Sequence, residues 1–166
     1  MTTNTDPTTH HTTPTRSRVL HVRTDEGRRI DVLGSSMCVK ATGHETDGRF
    51  DVVEIESGSG GDTVPHRHPW SELYVVLDGT MDVQIGRRVF AAGPGDLLHI
   101  PARALHGFTV TSERARFLHI SAGCEAVEVF DEYHALVPGT PTIEDVPAIL
   151  EVNDRHGIEV VLPTGV

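Results

Sequence analysis

Between residues 19 and 121 the apolar positions fall in short runs, several alternating with polar residues, and clusters of Gly, Asp, Ser and Pro separate the runs. Residues 19–22, 29–33, 37–40 and 50–56 read as strands, and the Ser-Gly-Ser-Gly-Gly-Asp cluster at 57–62 as a turn. Residues 73–77 are almost wholly apolar, and at 81–85 Met81, Val83 and Ile85 alternate with Asp82 and Gln84. The intervening Asp78-Gly79 predicts a hairpin. Runs at 87–91, 97–100, 107–110 and 116–120 follow. Many short strands at regular spacing predict an all-β sandwich or barrel. Beyond residue 122 the period changes: Val127, Phe130 and His134 are spaced as on a helix over 126–136, and Pro-Gly-Thr-Pro at 138–141 breaks it. A second helix is expected with Asp145 as its cap, Pro147 in its first turn and Gly157 at its end, followed by a last strand at 158–162. The chain divides into a Thr- and Pro-rich tail over 1–17 read as disordered, a β-barrel over 18–122 and a helical extension over 123–166.

Composition narrows the partners. The 166 residues suffice for one domain with a complete core. No apolar run approaches the length of a membrane-spanning helix, and the polar N-terminus lacks the apolar segment of a secretory signal, so a soluble, cytoplasmic protein is expected. A net charge of −10 argues against nucleic acid and anionic membranes as partners. Cys38 and Cys124 are far apart and outside any metal-knuckle spacing, and are read as buried free thiols. Eleven histidines are many for this length, which makes their convergence the central question. The His10-His11 pair in the tail is read as solvated.

The chemistry concentrates in Gly60 to Gly79, which reads G-G-D-T-V-P-H-R-H-P-W-S-E-L-Y-V-V-L-D-G. His66 and His68, two apart, share one face of a strand. Glu72 has the same parity and joins them if the turn near residues 69–71 preserves direction. Two imidazoles and a carboxylate on one face suit a divalent transition metal. Alone, a His-x-His pair also fits an exposed strand edge. In the segment G-D-L-L-H-I-P-A-R-A-L-H from Gly95, His106 follows a proline-containing turn and would complete a set of three histidines and one carboxylate.

These two segments resemble the paired motifs of the cupin family. Gly60, His66, His68, Glu72 and Gly79 meet every spacing of the first motif, and Gly95, Pro101 and His106 match the second. Arg103 stands where the second motif has a glycine, and Val110 where it has an asparagine. The resemblance implies a single jelly-roll barrel and a metal held by His66, His68, Glu72 and His106. Iron is the first expectation, with Mn, Co, Ni or Zn also accommodated. Parity places Tyr74 and Phe108 in the barrel interior, His119 lies on the last barrel strand as a candidate to line the cavity, and Trp70 lies in the ligand loop as a lid or as packing; these four form the expected substrate pocket. His99 reads as a packed or surface residue, and Arg103 as a solvated turn residue or an anchor for a substrate acid.

The P-H-R-H-P-W-S-E loop and the acidic helix after the last barrel strand are similar to small quercetin-dioxygenase-like cupins. That likeness implies an O2-using dioxygenase acting on a small molecule, with Glu72 both ligand and acceptor of a substrate proton. A non-redox cyclase, isomerase or dehydratase of a polyketide-like metabolite, and a metal-dependent binding module without turnover, use the same four ligands. Family habit also suggests a homodimer.

Overall fold

The computed structural model describes residues 19–137 and 139–161. Its elements are β1 Arg28–Val32, β2 Ser35–Ala41, β3 Phe50–Gly58, β4 His66–Arg67, β5 Glu72–Asp78, β6 Met81–Ile85, β7 Arg88–Ala92, β8 Leu97–Ile100, β9 His106–Val110, β10 Arg114–Ala122, α1 Glu125–Leu136, α2 Val146–His156 and β11 Glu159–Val160. One antiparallel sheet has six strands in the order β1-β2-β3-β10-β5-β8, and the other has five in the order β11-β4-β9-β6-β7. The fold is therefore the expected all-β jelly-roll barrel, followed by two short helices. The expected N-terminal tail and its histidine pair lie outside the described residues.

Strand alternation sorts the side chains. On β10, Ala115, Phe117, His119 and Ser121 point inward and are buried. Outward-facing Arg114 and Arg116 meet Glu56 at 3.1 Å and Glu54 at 3.2 Å on the neighbouring strand. On β5 the inward positions are Glu72, Tyr74 and Val76. Val53, Val76, Val83, Met81, Ile100 and Phe117 form the driest part of the core.

Three local expectations change. Asp78-Gly79 is not a hairpin: β5 pairs with β10 and β8, whereas β6 pairs with β7 and β9, so the chain crosses between sheets here. Gly79 has φ +76°, and a Cβ on it would lie 2.1 Å from the Arg114 carbonyl oxygen, so only glycine passes this corner. The two-residue hairpins are instead Leu33-Gly34, joining β1 to β2, and Gly86-Arg87, joining β6 to β7. Residues 19–22 pair with no strand; Val19 and Leu20 are 91% and 42% exposed, so their apolar pattern finds no sheet to enter. At α2, Asp145 stands at the N-cap position as expected but makes no side-chain bond into the helix; its carboxylate serves the preceding turn, which Thr142 caps. Asp145 reaches back to accept the Thr142 N–H at 2.7 Å and its hydroxyl at 2.8 Å, and a single 3-10 turn leads into the helix.

The helices close one side of the barrel. Asp51, fully buried on β3, accepts the N–H groups of Gly43 at 2.6 Å and Val127 at 3.1 Å. A carboxylate on the N-terminal turn of α1 complements both its free donors and its dipole. Arg28 of β1 grips Asp131 of α1 with two bonds of 2.6 and 2.8 Å. Tyr133 and Asn153 join α1 to α2. After α2 the chain returns to the barrel, where β11 pairs with β4. Both cysteines are free; Cys38 is buried and Cys124 only half-buried. Among the described residues no helix is long and apolar enough to cross a membrane.

Candidate metal centre

The ligand candidates come from both sheets, not from one face of a strand. His66 lies on β4 and is the cross-strand partner of His106 on β9, in the five-stranded sheet. After His68 the chain turns through Pro69–Ser71 and enters the other sheet, where Glu72 begins β5. The turn does not preserve strand direction; it carries Glu72 to the opposite wall, facing the histidines across the barrel.

His66, His68 and His106 each present one ring nitrogen within 4.8 Å of the other two. Their hydrogen bonds select which nitrogen. Nδ1 of His66 lies 2.9 Å from the Val64 carbonyl, Nδ1 of His68 lies 3.0 Å from that of Trp70, and Nδ1 of His106 lies 2.9 Å from that of Ala104. A carbonyl only accepts, so each Nδ1 donates and, in the neutral imidazole, each Nε2 keeps its lone pair for the centre. Turn geometry supplies all three acceptors, each two residues from its histidine. No sequence pattern marked them.

Glu72 completes the cluster. Its Oε1 lies 3.0 Å from His106 Nε2, its Oε2 lies 3.1 Å from His68 Nε2, and Oε2 accepts a 2.7 Å bond from His119 Nε2. Glu72 Oε1 and His106 Nε2 are nevertheless buried without a hydrogen-bond partner, because their approach is misaligned. Burial works against a charge on Glu72, but the charge of His119 and the polar contacts from His106, His119 and His68 outweigh it and hold the carboxyl well below its usual range. Burial, then repulsion from His106, lowers the His66 pKa to about 4, so this imidazole is neutral. For His106 burial also lowers the pKa, but contact with Glu72 dominates and raises it.

An anionic oxygen and several bare imidazole nitrogens facing one point are acceptors without a donor. A divalent cation satisfies all of them at once, and imidazole with carboxylate is a donor set that transition metals accept. The side chains present therefore fit a metal, and they do not select among metals.

The expected pocket residues surround this point unevenly. Trp70 stacks on His68, with ring centroids 4.1 Å apart and planes 11° apart, and its indole N–H is buried without a partner. Tyr74, Phe108 and Phe117 form an aromatic group with centroids 5.2 to 6.1 Å apart, closing the barrel beneath the centre. Burial, then the Glu72 carboxylate, raises the Tyr74 pKa well above its usual value, so its hydroxyl remains protonated. His119 sits between Tyr74 and Phe130 of α1. Phe130 was not expected at the site; only the docking of α1 brings it there. His99 is exposed on β8. Arg103 is exposed and holds φ +62°, the left-handed conformation a glycine adopts freely, while its N–H donates to the His68 carbonyl at 2.8 Å.

Comparison with known proteins agrees with this fold. A family model described as Cupin domain matches residues 51–121, which include all four ligand candidates. Quercetin 2,3-dioxygenase of Bacillus subtilis (strain 168) is 29% identical over 96 residues, covering 57% of this chain; the match spans 28% of that protein's length. Among solved structures, the polyketide cyclase RemF from Streptomyces resistomycificus superposes with a TM-score of 0.56 at 25% identity, covering 63% of this chain and 80% of its own. An RmlC-like cupin from Shewanella frigidimarina gives a TM-score of 0.58 at 15% identity, covering 68% of this chain and 99% of its own, and speaks to the fold alone.

Proposed function

We propose that this chain, whose residues 51–121 match the Cupin domain model, is a metal-dependent enzyme for a small organic metabolite, first of all an O2-using dioxygenase of the quercetin-dioxygenase-like type. The observation that carries the metal is the pair of buried, unpartnered acceptors, Glu72 Oε1 and His106 Nε2, beside two further histidines whose Nδ1 atoms are tied to carbonyls. His66, His68, Glu72 and His106 hold the ion. A divalent transition metal, iron in the first instance, supplies Lewis acidity toward a substrate oxygen and, when redox-active, a means of engaging O2.

The surrounding residues determine what else can happen. Glu72 is a weak base while its carboxylate is held below the usual range, and it becomes able to take a substrate hydroxyl proton when substrate competes for its partners. Tyr74, kept protonated, can donate but not abstract. The floor of Tyr74, Phe108 and Phe117 and the Trp70 face suit a flat, largely apolar substrate. The protein acts in the cytoplasm, as a pair of barrels, in the same proposal.

The likeness to a polyketide cyclase supports a second reading, a non-redox cyclisation or isomerisation at the same site, for which zinc serves as well. Elemental analysis of protein purified without added metal, repeated on His66→Ala, tests the common premise. About one equivalent of metal, lost in the variant, is expected, and none in either protein after reconstitution overturns it. O2 uptake with flavonols and other enolisable phenols then separates the readings, since anaerobic turnover excludes the dioxygenase.

A further inference from the structure

Four histidines reach the centre, and their hydrogen bonds divide them into two kinds. Three donate from Nδ1 to backbone carbonyls and face the centre with Nε2. His119 does the reverse. Its Nε2 is 2.7 Å from Glu72 Oε2, and its Nδ1 is buried without a partner. A charged carboxylate only accepts, so His119 donates from Nε2 and has no N–H left at Nδ1 when neutral. The ring is 4% exposed and held between the rings of Tyr74, at 5.8 Å, and Phe130, at 5.5 Å. The register of β10 against β5 sets Ser121 opposite Glu72 and His119 opposite Tyr74, so His119 reaches Glu72 diagonally along the inner face.

We propose that His119 is a positioning residue, not a metal ligand or a substrate contact: it fixes Glu72 by occupying Oε2 and leaves Oε1 as the oxygen offered to the metal. This rests on the metal reading above and adds to it. The two oxygens of Glu72 differ in the structure as this requires. Oε2 is shared between His119 and the vicinity of His68, whereas Oε1 faces His106 with no hydrogen bond. Without His119 the carboxylate could rotate and offer either oxygen, and its orientation would have to be fixed at the moment of metal binding. Partners of this type, acting through a ligand, typically change metal affinity by about 10- to 100-fold.

The test is Co(II) titration of metal-stripped protein against a competing chelator, with the visible Co(II) spectrum recorded at saturation. His119→Phe keeps ring volume and removes the donor, while His119→Gln keeps an N–H within reach. Wild type is expected to bind one equivalent. His119→Phe should bind about 10- to 100-fold more weakly, with altered Co(II) bands, and His119→Gln should recover most of the affinity and the wild-type spectrum. A His119→Phe protein with wild-type affinity and spectrum overturns the proposal, as does a His119→Gln protein no better than the Phe variant. If His119→Phe does not fold, as judged by circular dichroism, His119→Gln against His119→Asn decides, because only the longer amide reaches Glu72; equal affinities then refute the assignment. Failure of wild type itself to bind Co(II) would be a different result, refuting the metal centre and not the role of His119 within it.

Discussion

Replacing Glu72 by glutamine should have opposite effects on the metal-free and metal-loaded protein. In the metal-free barrel the 3.0 Å approach of Glu72 Oε1 to His106 Nε2 sets two acceptors against each other whenever His106 is neutral. The glutamine amide can donate where the carboxylate could not, adding a hydrogen bond of about 1 kcal/mol. It still accepts from His119 through its oxygen, but the bond loses its charge assistance, a loss of about 1 kcal/mol. The net change in urea-derived stability, measured at alkaline pH, should therefore lie within about 1 kcal/mol of zero. Wild type with free metal at 100 times its Kd gains about 2.7 kcal/mol. For a chain of this size that gain corresponds to a Tm increase of roughly 5–11 °C. Glu72→Gln, having lost the anionic ligand, should keep less than half of that increase. A metal-free Glu72→Gln protein destabilised by about 3 kcal/mol or more, as when a buried ion pair is broken, would refute the reasoning. It would show that an imidazolium already compensates the carboxylate and that the cluster does not need a cation.

Other perturbations probe the same structure. His66, lowered to about 4 from an ordinary 6.5, stays neutral in the folded state while the unfolded chain takes up its proton. Metal-free stability should therefore fall as pH drops from about 6.5 to 4, with His66 contributing up to roughly 3 kcal/mol. Urea titrations across that window, with His66→Gln as the control lacking this contribution, measure it, and equal slopes in the two proteins would refute it. Because Glu72 raises the proton affinity of His106, metal binding should release a proton and weaken as pH falls, read by calorimetry in buffers of different ionisation enthalpy. Arg103→Gly should stabilise the protein by about 1 kcal/mol by relieving φ +62°, with Co(II) affinity unchanged. Asp51→Ala leaves the Gly43 and Val127 N–H groups unpartnered in the interior and should cost about 2–4 kcal/mol in thermal or urea unfolding.

The candidate ligand set was legible because it rests on spacing. His66, His68 and Glu72 are close in the chain, and any barrel in which the chain changes sheets after His68 brings them together. How they come together was not legible. Asp78-Gly79 has the local chemistry of a hairpin, and only the absence of pairing between β5 and β6 shows it to be a corner between sheets. The apolar residues at 19–22 carry a strand pattern without a sheet edge to receive them. Asp145 does occupy the N-cap position of α2, but its carboxylate turns back to Thr142 across a 3-10 turn that no local pattern specified. His119 was expected only on the last barrel strand as a cavity residue, and its contact with Glu72 depends on the β10–β5 register, which no local pattern specifies.

The support of the site also extends beyond the segment that carries its ligands. The family match covers residues 51–121, yet β4 is held from outside it. Val160 pairs with His66, and the Val161 N–H donates to the Pro65 carbonyl at 2.8 Å. Phe130, which confines His119, belongs to α1, and α1 is fixed by Asp51 and Arg28. His66 lies on a two-residue strand with little pairing of its own, so the returning C-terminal strand does for this candidate ligand what a longer sheet does for His106. A backbone acceptor such as the Val64 carbonyl orients a ligand only if its segment is itself held, and β11 with Val161 holds the segment from Pro65 to Arg67. The C-terminal extension is thus part of the candidate metal centre's scaffold. Differences in metal affinity between this chain and relatives bearing the same four ligands should follow the differences in that extension.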